Sequence, residues 1–259
     1  MKRILLPISI ICILFAACAK LPVQSGDTAT PTLPVTPAPT AALQESPTPP
    51  GIVSEPNTVL DDITVTAILY TPNTNTVIRY PELTAENNKY ALNRINAELR
   101  EEAFDEADDD WRSRDYKMDY TVYRIGDVLV AELSGYVYTG GAHGMPFLET
   151  MHFDLISGDD FDLEDLFTKG SRYESALADI MWQDIESGNV RVWDTTKKSD
   201  LECDNFRLKD DHIEIYFEPY ELSSFADGFV TFEIPYTKID SIIDKNGVLY
   251  NRMSNSKGE

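Results

Sequence analysis

Basic side chains are scarce in this chain: Lys plus Arg number 22 against 44 Asp plus Glu, a formal net charge of −22. Nucleic-acid binding rests on a basic footprint that releases phosphate counterions, so the charge balance argues against it. The same deficit disfavours docking of the folded part on anionic lipid. Histidine numbers only three. No His-x-x-x-His or His-Glu-x-x-His spacing occurs, so the common zinc motifs are missing. There is no Gly-x-Ser-x-Gly elbow for Ser-His-Asp chemistry, and no Gly-Lys-Ser/Thr phosphate loop. The Asp-x-Asp-x-Asp-Gly spacing of an EF-hand is also missing. No apolar run reaches the roughly twenty residues that a membrane-spanning helix needs. What remains is an acidic protein with no implied cofactor and no enzyme motif. Its charge suits a cationic partner, metal ions or simple solubility.

The chain does carry the ingredients of a core, at 42% apolar and 10% aromatic residues. Before them comes an address. Lys2 and Arg3 precede an apolar run of about fourteen residues, the length of a signal-peptide core. The run ends Leu14-Phe15-Ala16-Ala17-Cys18, which resembles a bacterial lipobox. That implies a lipoprotein signal peptide over 1–17, acylation of Cys18 and a lipid anchor on the extracytoplasmic face of the cell membrane. A secretory signal cut elsewhere is the alternative.

Residues 18–58 form an expected linker, rich in Pro and Thr and holding nine of the fifteen prolines. Too few large apolar groups occur there to offset ordering entropy. As semi-extended polyproline the linker would reach on the order of 100 Å. With Cys12 removed and Cys18 acylated, Cys203 stands alone in the body. No disulfide within one chain is then expected, and Cys203 reads as a packing residue.

The body divides into expected subdomains at 59–145 and 146–243, followed by a loose tail at 244–259. Residues 63–70 and 76–80 read as strands. Leu92, Ile95, Leu99, Ala103, Ala107 and Trp111 recur at three- and four-residue spacing, the stripe of a long helix. Its other face is acidic, from Glu98 to Asp110. Residues 116–125 and 128–138 alternate at period two around Gly126-Asp127, a hairpin. A strand follows at 146–155. Ser171 with Glu174 gives a capping-box signal for a second helix. A second hairpin spans 206–208 and 213–217, then come a strand at 229–234 and a short helix near 237–243. Strand hairpins interrupted by two main helices imply an α+β fold, with the helices packed on antiparallel sheet.

Two stretches are distinctive. Tyr136-Val137-Tyr138-Thr139-Gly140-Gly141-Ala142-His143-Gly144 leads into Phe153-Asp154-Leu155-Ile156-Ser157-Gly158 and Leu163-Glu164-Asp165-Leu166-Phe167. Further on stand Phe217-Glu218-Pro219-Tyr220-Glu221-Leu222, Gly228-Phe229 and Ile234-Pro235-Tyr236. In this order they resemble the extracytoplasmic module of RsiV-type anti-sigma factors, shared with the region preceding the catalytic domain of PdaC-type peptidoglycan deacetylases. The resemblance implies a receptor-like domain of the cell envelope, able to bind a cationic wall-directed protein such as lysozyme, or peptidoglycan itself. The metal-binding Asp and paired His of the deacetylase domain have no counterpart in this sequence. A peptidoglycan-modifying enzyme, or an accessory subunit of one, is the alternative.

The candidate binding residues follow from these stretches. Three glycines in five residues let the backbone around His143 take positive φ, so Gly140, Gly141 and His143 read as a structural turn or a ligand-contact loop. Tyr136, Tyr138, Pro219 and Tyr220 are aromatic and proline candidates for interface anchors. The acids between Asp154 and Asp165 surround a turn and raise the alternative of calcium.

Overall fold

The period-two alternation around Gly126-Asp127 becomes two long strands, β5 (Asp115–Ile125) and β6 (Val128–Tyr138), paired antiparallel along their whole length. In this computed structural model the described residues are 52–54, 58–105 and 115–255. They fall within one compact unit, residues 47–259. The α+β expectation holds.

Around the hairpin grows a seven-stranded sheet. It comprises β1 (Ile52–Ser54), β2 (Thr58–Leu60), β3 (Ile63–Tyr70), β4 (Thr76–Thr84), β5, β6 and β7 (Met145–Asp154). Its order is β1-β3-β4-β5-β6-β7, with β2 pairing the other half of β3. All neighbours are antiparallel except β4 and β5. A parallel pair needs a crossover, and α1 (Lys89–Asp105) lies in that connection. The apolar stripe of α1 (Leu92, Ile95, Leu99) packs on Leu129 and Ala131 of β6. Val128 and Val130, at the alternate positions of β6, join a different core. β6 is therefore covered on both faces, which explains its nearly continuous apolar run.

That second core is built on a three-stranded antiparallel sheet with order β10-β9-β8. Its strands are β8 (Phe206–Leu208), β9 (His212–Phe217) and β10 (Val230–Pro235). Leu177 and Met181 of α2 (Tyr173–Glu186) pack with Ile213, Ile215 and Phe232. Each such fully buried side chain contributes roughly 1.5–3 kcal/mol. Two short helices follow, α3 (Tyr236–Ile239) and α4 (Val248–Ser254).

Polar contacts join the two sheets. Arg207 of β8 bridges Glu132 of β6 at 3.1 Å and Glu214 of β9 at 2.7 Å. Lys209 reaches Glu132 at 3.3 Å. The Leu208 N–H donates to His152 Nε2 at 3.2 Å, and the His152 ring stacks on Phe206. Tyr216 Oη donates to the Leu148 carbonyl at 3.1 Å, and the Thr150 hydroxyl donates to the Phe206 carbonyl.

Four expectations need correction. Strand β1 falls inside the expected linker and β2 starts on its last residue, Thr58, because strands of three residues take their order from β3 rather than from local pattern. The boundary at 145/146 cuts the start of β7, which pairs along β6, so the sheets divide after Asp154. Ser171 does not cap α2: the N-cap is Arg172, and the Ser171 hydroxyl is buried without a hydrogen-bond partner among the described residues. The tail is not loose up to Asn255, since α4 buries Leu249 and Arg252 bonds Asp154 at 2.9 Å. Cys18, the signal segment, Ala107, Trp111 and residues 106–110 of the acidic stretch lie outside the described residues.

Candidate functional site

The β6–β7 connection carries the glycine–histidine motif. Gly140 and Gly141 adopt φ of +99° and +103°, the left-handed conformations that glycine reaches without a Cβ clash. Gly144 is needed for a different reason. A Cβ there would stand 2.5 Å from both the Tyr136 hydroxyl and the Val137 carbonyl oxygen. The Gly144 N–H donates to Tyr136 Oη at 2.6 Å, and Tyr138 Oη donates to the Gly141 carbonyl at 2.9 Å. Tyr136 and Tyr138 thus use their hydroxyls to shape the loop.

The loop presents His143 to the far end of the second sheet. His143 Nδ1 lies 3.0 Å from the Gly144 carbonyl, which can only accept, so Nδ1 carries the proton. Nε2 is then left as an acceptor for the Tyr220 hydroxyl at 3.2 Å. The Phe225 ring stacks on the imidazole, with centroids 3.9 Å apart and planes 23° apart. Tyr220 lies beside Phe225 at 5.9 Å. The two distinctive stretches, 77 residues apart at His143 and Tyr220, therefore meet in one exposed patch.

Tyr220 is held by a tight turn. The Glu221 N–H donates to the Glu218 carbonyl at 3.1 Å, with Pro219 and Tyr220 at the central positions. Proline followed by positive φ is the type II pattern, whose second central position favours glycine. Here a tyrosine sits at φ +78° and is 49% exposed. A bulky residue kept in that region stores on the order of 1–3 kcal/mol of backbone strain, a feature concentrated at functional sites. Pro219 itself is buried. This corrects its assignment as a contact residue: its ring sets φ for the turn and offers a ligand nothing.

Phe225 joins the patch without having been singled out from the sequence. Phe225 opens a 3-10 turn, Phe225–Asp227, whose Ser224 hydroxyl donates to Asp227 at 2.6 Å. Trp193 is 42% exposed, and its backbone N–H donates to the Leu222 carbonyl beside the Tyr220 turn. Glu221 and Asp227, both exposed, give the patch an acidic rim.

Other candidates are structural. His152 is buried in the joint between the sheets. Asp154 is buried and takes the Ile156 N–H and Arg252, while Asp159 pairs with Arg94 at 2.5 Å. Asp165 takes the Asp162 N–H at 2.9 Å, so three acids of that turn serve protein groups. Cys203 is half-buried, and burial pushes its thiol up to about 12, away from nucleophilic use.

This arrangement is an exposed aromatic patch on a two-sheet α+β scaffold. Residues 164–237, from the turn before α2 to the start of α3, match a family model described as "Protein of unknown function (DUF3298)". The chain is similar to the peptidoglycan-N-acetylmuramic acid deacetylase PdaC of Bacillus subtilis (strain 168), 25% identical over 162 residues. That match covers 58% of this chain and 35% of that protein, so the chain spans about a third of the relative's length. Two crystal structures share the fold. A member of the DUF3298 family from Bacteroides fragilis superposes with a TM-score of 0.56 at 18% identity, covering 75% of this chain and 97% of that one. A DUF3298 family protein from Pseudomonas aeruginosa PAO1 gives 0.51 at 14% identity, covering 78% and 96%. The family-model match includes the Tyr220 turn and Phe225 but stops short of the His143 loop.

Proposed function

We propose that this chain is a lipid-anchored, extracytoplasmic binding domain of the bacterial cell envelope, and that it recognises a cationic wall-directed protein such as lysozyme. The observation that carries the reading is the meeting of His143, Tyr220 and Phe225 in one exposed patch with an acidic rim. Rigid aromatic anchors supply contact area at small entropic cost, and carboxylates at the rim steer a basic partner. The similarity to a wall-acting deacetylase supports the envelope setting. Anchoring through Cys18 rests on the lipobox resemblance alone. In this reading the chain binds and does not catalyse.

The test is calorimetric titration of the purified chain with lysozyme at low and at physiological salt, beside sedimentation with peptidoglycan sacculi. Saturable heat that persists at physiological salt and is lost in Tyr220→Ala and Phe225→Ala supports the proposal. Heat that vanishes with salt is nonspecific charge attraction and sinks it. Retention on sacculi without lysozyme binding moves the ligand to the wall polymer. Release of acetate or sugar from sacculi would replace a binding role with an enzymatic one.

A further inference from the structure

Strands β9 and β10 of the second sheet hold a group of side chains that the aromatic patch does not use. His212 and Glu214 stand two residues apart on β9, so they point to the same face. Glu233 of β10 is the register partner of Glu214. Like charges directly opposite one another weaken a strand pair, and Arg207 and Lys209 compensate Glu214 from its Oε2 side.

The histidine is oriented. Its Nδ1 is 2.6 Å from Asp211 Oδ1. A carboxylate accepts, so a neutral His212 carries its proton on Nδ1, and the lone pair of Nε2 points the other way. The hydrogen bond also holds the Asp211 carboxyl below its ordinary range. Nε2 is out of solvent contact and has no hydrogen-bond partner among the described residues. It faces Glu214 Oε1 at 3.7 Å. That gap exceeds the roughly 3.2 Å limit of an N–H···O bond. It suits two ligands of one ion, which at about 2.1 Å from each would subtend about 125°. One donor atom each from His212, Glu214 and Glu233 lie within 4.8 Å of one another. Glu233 is exposed and free to rotate inward. Arg207 engages the other Glu214 oxygen, Oε2, at 2.7 Å and leaves Oε1 for the ion. His212 and Glu233 line a cleft of about 410 Å³, with Asp184, Asn189, Thr231 and Lys238.

We propose that His212, Glu214 and Glu233 bind a divalent transition-metal ion of the zinc class, with Asp211 as the positioning residue behind the imidazole. A mixed imidazole–carboxylate set selects such ions over calcium and magnesium, which prefer oxygen ligands alone. Three protein ligands leave a coordination position facing the cleft. The carboxylate–histidine–metal relay fixes the tautomer and raises ligand basicity.

The experiment uses the full chain, free of affinity tags and stripped with chelator. It is titrated with Co²⁺ as a spectroscopic probe, and with Zn²⁺ in competition with a metal-sensing dye. One ion per chain is expected, with visible d–d absorption from cobalt. His212→Gln and Glu233→Gln should each weaken binding at least about tenfold, and Asp211→Asn by about tenfold. Circular dichroism checks folding. Should His212→Gln fail to fold, the exposed Glu233→Gln decides alone. No stoichiometric binding at tens of micromolar metal overturns the proposal. Equal affinity in wild type and Glu233→Gln also overturns it.

Discussion

Gly144→Ala isolates the steric logic of the β6–β7 loop. Gly144 is buried and its backbone is open to any residue, so the cost comes from contact alone. The new methyl would lie 2.5 Å from the Tyr136 hydroxyl and from the Val137 carbonyl oxygen. Tyr136 is 39% exposed and can swing away, but only by giving up the bond it accepts from the Gly144 N–H. Leaving that buried donor unpaired costs about 1–3 kcal/mol. The Val137 carbonyl belongs to a paired strand and cannot retreat, which adds about 1–3 kcal/mol of overpacking. A combined loss of about 3 kcal/mol lowers Tm by roughly 6–12 °C in a unit of this size. Thermal unfolding followed by far-UV circular dichroism reads it directly. Tyr136→Ala in the same chain should recover only part of the loss, since the carbonyl clash stays. Gly140→Ala is the control: nothing lies within 4 Å of its Cβ, so only φ strain of about 1–2 kcal/mol applies. A Gly144→Ala variant that melts with wild type, or above Gly140→Ala, would refute the reasoning.

Tyr220→Gly should raise Tm slightly while abolishing ligand binding, because glycine relieves φ +78° at a gain of up to about 1 kcal/mol and removes the ring. Cys203, with its thiol pushed up to about 12 by burial, should resist alkylation at pH 8 in the native chain and react once denatured, as mass spectrometry can follow. Tyr123, Tyr216 and Tyr236 all have their phenol pKa raised by burial above the ordinary 10.0. Their neutral forms favour the folded state, so stability is intact below about pH 10 and falls as pH rises past it. Absorbance at the phenolate band should therefore show these three ionising only together with unfolding.

The strand hairpins and the α1 stripe were legible because period two and the three- and four-residue spacing are local signals. Residues 116–125 and 128–138 become β5 and β6 with ends moved by a residue at most. Strands β1 and β2 were illegible because three residues carry no periodicity, and their partner β3 supplies the order. Ser171 shows that a capping pattern cannot say which way a hydroxyl turns. The glycine–histidine motif and Tyr220 were singled out separately, but nothing local brings them together. That depends on how β8–β10 dock on β6 and β7. Phe225 was an ordinary aromatic until its ring was seen on His143. His212-x-Glu214 acquires Glu233 only through the β9–β10 register.

The joint between the sheets links stability to the patch. Loop 218–228 leaves β9 directly, so whatever seats β9 on the larger sheet also seats Tyr220 and Phe225 against His143. Glu132 is the centre of that seating: its side chain is 13% exposed and takes Arg207 at 3.1 Å and Lys209 at 3.3 Å. Glu132→Ala leaves Lys209 with Glu214 at 3.9 Å and the Tyr123 ring at 4.4 Å, and Arg207 with one carboxylate in place of two. Breaking a fully buried pair costs about 3–5 kcal/mol, and partial exposure with a remaining partner reduces this to about 2–3 kcal/mol. Glu132→Gln keeps the acceptor and should recover about half. If the joint positions the patch, both variants will weaken ligand binding in the order of their stability loss, although Glu132 lies in the joint and outside the patch. Binding unchanged in a destabilised Glu132→Ala would show that the His143–Tyr220–Phe225 contacts hold the loops together without help from the sheets.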